Sequence, residues 1–166
     1  MTIPVSAADW IVINTELILV GTAMIVLLLD AFNRRISDRI SPWITLVGVV
    51  GGLVSLGFLW GQEYTGFAGM LVIDSFSVLV KMAILFGTGL AVLLSVDYLR
   101  REELAQGEYY GLLLLSTVGM LLLTSSANLI MIFLSLEMLS IALYVLTGYA
   151  RMRPRSQEAG MKYFLL

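Results

Sequence analysis

Long apolar runs separated by short polar segments make up most of the chain. Five runs approach or exceed the roughly 20 apolar residues that a helix needs to cross a bilayer. They lie at about Trp10–Phe32, Trp43–Gly61, Leu71–Tyr98, Tyr109–Ser125 and Leu129–Tyr149. A sixth run begins after the third arginine cluster, at about 156–166, and is still apolar at its last residue. The pattern predicts an all-α polytopic membrane helix bundle, in which five complete transmembrane helices plus the start of a sixth form a single membrane domain over 1–166.

The sixth run is too short to span a membrane. At about 1.5 Å per residue, its helix would reach only about half way across the hydrocarbon. We therefore expect the sequence to be a fragment, a split gene product or part of a longer protein.

Composition agrees with a membrane protein and excludes several kinds of chemistry. Charged residues make up 13% of the chain, against about 25% in a soluble domain. Cysteine and histidine are absent, which excludes disulfides, thiol chemistry and sites that need histidine ligands. There is no phosphate-binding glycine loop and no Rossmann fingerprint. We expect no metal, nucleotide, flavin, haem or iron–sulfur centre on this chain, no nucleic acid partner and no soluble small-molecule substrate.

The arginines predict how the chain is oriented in the membrane. All eight lie after the first, third and fifth apolar runs, at Arg34, Arg35, Arg39, Arg100, Arg101, Arg151, Arg153 and Arg155. The opposite loops contain no lysine or arginine. The positive-inside rule then places the arginine loops in the cytoplasm and the N-terminus outside.

Glu137 is the only ionisable side chain other than tyrosine in the fifth apolar run. A carboxylate at that depth costs at least about 2.5 kcal/mol if it is charged and faces lipid, so it should face protein or water. Ser140, Tyr144 and Gly148 follow it at helical spacing and form a polar stripe. We interpret Glu137 as a proton-binding group, although a buried acid can also merely pair with a neighbouring helix.

Two lysines also lie inside apolar runs. Lys162 follows Glu158 by four residues, so it can extend to the interface or act as a basic partner of Glu137. Lys81 shares a helix face with Asp74, Ser77, Thr88 and Ser95, which predicts a polar seam that joins helices or, less simply, carries protons.

Two acids of the first run favour a structural interpretation. Glu16 lies close to the expected outer interface, and Asp30 can pair with Arg34 four residues later.

One stretch resembles a known family. The residues Asn128-Leu-Ile-Met-Ile-Phe-Leu-Ser-Leu-Glu-Met-Leu-Ser-Ile-Ala-Leu-Tyr-Val-Leu-Thr-Gly148 and Arg155-Ser-Gln-Glu-Ala-Gly-Met-Lys-Tyr-Phe-Leu-Leu166 resemble the antiporter-like subunit N of respiratory complex I and its chloroplast and cyanobacterial equivalent. Thr15-Glu-Leu-Ile-Leu and Asp74-Ser-Phe-Ser77 support the resemblance, which runs along the whole chain.

The resemblance implies a proton-pumping subunit of NADH–quinone oxidoreductase in a bacterial inner membrane, among other membrane subunits of complex I. It implies that Glu137 and Lys162 take part in proton translocation, with further lysines on later helices that this sequence does not contain. Quinone, NADH, FMN and iron–sulfur clusters are expected elsewhere in the complex, and no redox chemistry is expected on this chain.

Two other functions stay open at this point. One is a subunit of a multi-subunit sodium/proton antiporter or of a membrane-bound hydrogenase-type complex, since these share the helix design. The other is a truncated, non-catalytic scaffold that only packs against its neighbours.

Overall fold

The computed structural model is a bundle of helices with one small hairpin. It describes residues 7–102, 104, 106–150 and 153–165. In chain order the elements are α1 (Ala7–Val12), α2 (Asn14–Phe32), α3 (Arg34–Leu59), β1 (Tyr64–Gly66), a 3-10 turn (Phe67–Gly69), β2 (Leu71–Ile73), α4 (Ser75–Arg101), α5 (Gln106–Ser125), α6 (Leu129–Thr147) and α7 (Pro154–Leu165).

The predicted fold class is confirmed. Among the described residues, five helices are long and apolar enough to cross a membrane, and these are α2, α3, α4, α5 and α6. Helix α5 packs against each of the other four and occupies the centre of the bundle. We call the end that carries β1 and β2 the hairpin end, and the opposite end, which carries Arg34 and Arg100, the arginine end.

The second spanning helix begins earlier than the sequence pattern predicts. We expected a loop up to about Trp43, but α3 begins at Arg34, with Asn33 as its N-cap accepting from the Ile36 amide. Pro42 therefore lies inside a helix, where it has no N–H to donate to the preceding turn. Next to it, Thr45 Oγ1 donates to the Ser41 carbonyl at 2.8 Å.

The third predicted helix also begins differently. We expected it at Leu71, but Leu71–Ile73 is strand β2, which pairs antiparallel with β1. Helix α4 starts only after Asp74, whose side chain accepts from the Ser77 amide at 2.7 Å while the Ser77 hydroxyl accepts from the Asp74 amide. The hydrogen bond from the Ser77 amide, with a smaller contribution from the Ser77 side chain, lowers the pKa of the Asp74 carboxyl. The reciprocal cap fixes the start of α4 at the edge of the hairpin.

Small residues let the helices approach closely. A Cβ atom on Gly119 would lie 2.8 Å from the Leu139 backbone nitrogen, so α5 and α6 nearly touch through their backbones there. A Cβ on Gly48 would lie 2.5 Å from the Thr22 hydroxyl, which brings α3 against α2. Gly52, one turn further along α3, is close to Leu85 of α4, because an added Cβ would lie 3.0 Å from its side chain.

Candidate functional site

The most deeply buried charge in the described part of the chain is Lys81. Its side chain has 0% exposure, and its Nζ donates to Oε1 of Glu16 at 2.7 Å. Helix α4 contributes the lysine from its second turn, and α2 contributes the glutamate from its first turn. The two residues are 65 positions apart, so only helix packing brings them together.

The predicted polar seam of α4 faces the interior of the bundle. Ser77, Lys81, Thr88 and Ser95 are all buried. The Thr88 hydroxyl lies 3.1 Å from that of Thr117 on α5, and Ser95 donates to the Tyr110 hydroxyl at 3.4 Å. The seam therefore joins α4 to α5 and includes the buried cation.

Glu16 is more buried than its position near a helix end suggested. It is only 4% exposed, and its second oxygen, Oε2, is buried without a hydrogen-bond partner among the described residues. The sequence indicated Glu16 and Lys81 as separate ionisable residues and did not predict that they form a pair. An acid and a base inside two apolar runs were the available signal, because buried charges usually pair.

Asp30 has a different neighbour from the one that the sequence suggested. An ion pair with Arg34 is not among those formed by the described residues. Instead the Asp30 carboxylate lies beside the first turn of α5, where a Cβ on Gly107 would come within 2.5 Å of Oδ1. A carboxylate at a helix N-terminus interacts favourably with the helix dipole. Burial, together with the nearby charges of Glu108 and Asp30, raises the pKa of Tyr149 at the same end of the bundle.

Glu137 faces outward from α6. Its side chain is exposed in this structure, and it has no hydrogen bond or ion pair with another described residue. Large apolar side chains are exposed on the same helix, namely Leu129, Ile130, Phe133, Leu134, Leu136, Ile141 and Val145. Only 11% of the spanning segment of α6 is buried in the described bundle.

The structure does not bring Lys162 to Glu137. Lys162 Nζ lies 2.6 Å from Glu158 Oε1 on α7, and its side chain is 68% exposed. Helix α7 crosses the end of α6 at a glycine pair, where a Cβ on Gly160 would lie 3.0 Å from the Gly148 Cα. The Tyr144 ring packs edge-on against Tyr163 and Phe164. The α6–α7 contact therefore depends on glycines and aromatic rings.

Metal binding has no support in the described part of the chain, where no group of three or more acidic, histidine or cysteine side chains could hold an ion. Within the apolar runs, the described ionisable side chains include the buried Lys81–Glu16 pair, Glu137 on α6 and Lys162 on α7.

A family model matches the region of the chain that contains Glu137 and Lys162. Residues 126–166 match a family model described as "NADH:quinone oxidoreductase/Mrp antiporter, TM". This segment contains α6 and α7, with both residues.

Curated relatives match along nearly the whole chain. The chain is 43% identical to NADH-quinone oxidoreductase subunit N of Trichlorobacter lovleyi over 93% of its length, covering 32% of that relative. It is 42% identical to subunit N 2 of Roseiflexus castenholzii, over 99% of this chain and 33% of the relative. It is 36% identical to the chloroplastic NAD(P)H-quinone oxidoreductase subunit 2 of Mesostigma viride, over 91% of this chain and 30% of the relative.

A solved structure shows the same arrangement of helices. A chain in the respiratory complex I from Thermus thermophilus with bound aureothin matches with a TM-score of 0.74 and 30% identity, over 91% of this chain and 32% of that one. The chain thus spans about a third of the length of the curated relatives it matches.

Proposed function

We propose that this chain is part of a subunit N of an NADH–quinone oxidoreductase, the kind of relative that it matches along nearly its whole length, and that it works there in proton translocation. In this proposal the subunit couples quinone reduction elsewhere in the complex to proton transfer across the membrane. Electron carriers and cofactors bind to other subunits, and this chain carries out no redox step. Its partners are other membrane subunits of the complex, in a bacterial inner membrane.

The observation that carries the proposal is the position of Glu137. It lies in the middle of a spanning helix, within the matched segment 126–166, and no described residue pairs with it. An ionisable group at that depth faces protein or water in the assembled membrane. Because the relatives are about three times as long, further helices of the subunit can cover the exposed face of α6 and supply that environment.

The three sequence-predicted residues then have distinct roles. Glu137 binds the proton. Lys162, two helical turns into α7 from the arginine end, acts as a relay or as a base that tunes the affinity of Glu137 for its proton, in a conformation other than its present pairing with Glu158. Lys81 takes part through its buried pair and is the weakest of the three candidates.

Substitution of Glu137 by glutamine in the full-length subunit tests the proposal, because glutamine keeps the shape and removes the titratable group. Proton pumping by the assembled complex in membrane vesicles should fall about tenfold or more, since a positioned proton-transfer group contributes about 10²–10⁴-fold to a rate. Glu137→Asp should restore part of the activity.

The matched control is Glu63→Gln, an exposed carboxylate in the hairpin-end loop, which should pump normally. Assembly is checked by the amount of intact complex. Unchanged pumping in fully assembled Glu137→Gln complex would refute the assigned role.

A second function has one observation in its favour. The matched family model also covers antiporters, so a sodium/proton antiporter subunit is the alternative. Proton movement that requires sodium and proceeds without quinone would support it. Quinone-dependent pumping in sodium-free buffer supports the oxidoreductase.

A further inference from the structure

The ion pair between Glu16 and Lys81 is only half satisfied. Oε1 of the carboxylate accepts from Nζ at 2.7 Å, while Oε2 is buried and has no described partner. The ammonium group has three hydrogens, and Glu16 Oε1 is its only hydrogen-bond acceptor among the described residues. A buried ion pair offsets its desolvation cost only when its remaining lone pairs and protons are also bonded. Oε2 is therefore a vacant acceptor beside a buried cation.

A line of polar groups leads to the surface from Thr15, the residue before Glu16. The Thr15 hydroxyl lies 3.2 Å from the Ser55 hydroxyl, and Ser55 accepts from the Asn14 side-chain amide at 3.0 Å. Asn14 and Ser55 also line an open recess of about 270 Å³ at the hairpin end, together with Trp10, Ile11, Phe58 and Leu59. The recess can hold several water molecules, since each occupies about 30 Å³.

We propose that Glu16 is a second proton-binding site, which exchanges protons with water at the hairpin end through this recess and the hydroxyl groups of Ser55 and Thr15. The inference rests on the proposed proton-translocating function and adds a site to it on α2, separate from Glu137 on α6. Lys81 is its positioning residue, since it holds Oε1 and leaves Oε2 free.

Proton binding needs little movement of the pair. A hydronium ion in the recess gives up a proton, the Ser55 and Thr15 hydroxyls and water beside them pass it on, an O–H bond forms on Oε2 of Glu16, and a water molecule remains in the recess. Oε1 still accepts from Lys81 Nζ, now as the carbonyl oxygen of a carboxylic acid. Release reverses the step, and the charge of the pair returns from +1 to 0.

Few other charges face the pair from the surrounding elements. On α1, the Asp9 carboxylate accepts from the Phe67 amide at 2.5 Å, and Asp74 caps α4. In the hairpin-end loop, Glu63 is exposed and the Tyr64 hydroxyl donates to Gln62. The hairpin-end halves of α3 and α5 contribute hydroxyl groups but no titratable side chain. Among the described residues, Lys81 is therefore the cation in contact with the Glu16 carboxylate.

A purely structural ion pair is the competing explanation, and a double substitution separates the two. Replacing a buried pair by uncharged residues of similar volume often leaves stability unchanged or higher, whereas removing one partner leaves an unpaired charge. Glu16→Gln with Lys81→Met in the full-length subunit removes both charges together. A structural pair predicts normal assembly and normal pumping. A proton-binding site predicts normal assembly and pumping reduced at least severalfold.

Ser55→Ala is the second variant and introduces no buried charge. It interrupts the hydroxyl chain, so proton pumping should fall while the amount of assembled complex stays unchanged. This variant decides the question if the double variant does not assemble. Glu63→Gln again serves as the matched control. Infrared difference spectra should show a protonated carboxyl band that is missing in the Glu16→Gln/Lys81→Met complex.

The outcome also separates this inference from the proposed function. If Glu137→Gln abolishes pumping while the double variant and Ser55→Ala both pump normally, the pair is structural and the inference is wrong. If Glu137→Gln has no effect, the proposed function of Glu137 fails whatever the pair does.

Discussion

At the scale of single residues, the ionisable side chains of the apolar runs are in very different surroundings. Lys81 and Glu16 are buried and paired, Lys162 pairs at the surface with Glu158, and Glu137 is exposed on α6. The sequence identified each of them, because a charged residue in an apolar run is visible without a structure. It did not identify the pairing, because Glu16 lies on α2 and Lys81 on α4, and helix α3 separates the two in the sequence.

A double-mutant cycle on the pair measures its coupling. Lys81→Met leaves a buried carboxylate and Glu16→Gln leaves a buried ammonium, so each should lower the free energy of unfolding by about 3–5 kcal/mol. The combined variant should lower the free energy of unfolding by much less than the sum of the two single effects. Unfolding of the detergent-solubilised protein by denaturant provides the measurement.

Lys162→Met is the control for that cycle. Its pair with Glu158 is largely exposed, and such pairs contribute about 0–1 kcal/mol. Strictly additive losses in the Glu16 and Lys81 variants would contradict the buried ion pair.

At the scale of elements, the apolar runs located the helices, while capping and strand pairing decided where several of them begin. Asn33 starts α3 within the arginine segment, and Asp74 with Ser77 starts α4 after the hairpin. Hydropathy does not show where these helices begin, because an N-cap depends on a hydrogen bond between one side chain and one backbone amide. The hairpin depends in addition on partners that are distant in sequence, such as the bridge between Leu71 and Ser126.

Gly119 provides a test of helix packing. Gly119→Ala places a methyl group 2.8 Å from the Leu139 backbone nitrogen, and backbone cannot give way as a flexible side chain can. The α5–α6 contact should be destabilised by about 1–3 kcal/mol, measured as a lower free energy of unfolding.

Gly87→Ala is the matched control, because nothing lies within 4 Å of its added Cβ and it faces outward on α4. It should be neutral or stabilising by up to about 1 kcal/mol, from the higher helix propensity of alanine. Equal effects of the two substitutions would show that α5 and α6 do not approach closely at Gly119.

At the scale of the whole molecule, the five spanning helices have two chemically different ends. The arginine end carries Arg34, Arg100 and Arg153, and Arg153 forms an ion pair with Glu102. The hairpin end carries acids but no lysine or arginine in its loops. The positive-inside rule predicts that the arginine end faces the cytoplasm.

The absence of cysteine from the chain makes this orientation directly testable. A single cysteine at Glu63 should react with a membrane-impermeant maleimide in intact cells, whereas one at Glu158 should react only after permeabilisation. Neither substitution removes an arginine, so the charge bias stays in place. The reverse labelling pattern would contradict the orientation.

By itself, the sequence determined the membrane class, the five spanning helices, the residues that could carry protons and, through its resemblance, the family. These depend on hydropathy, composition and short motifs, which are readable within about 20 residues. Only the tertiary structure decided that Glu16 pairs with Lys81, that Lys162 stays with Glu158 and that Glu137 faces out of the bundle. The physical reason is that a helical period fixes which residues share a face, whereas the neighbour of that face depends on how all the helices pack together.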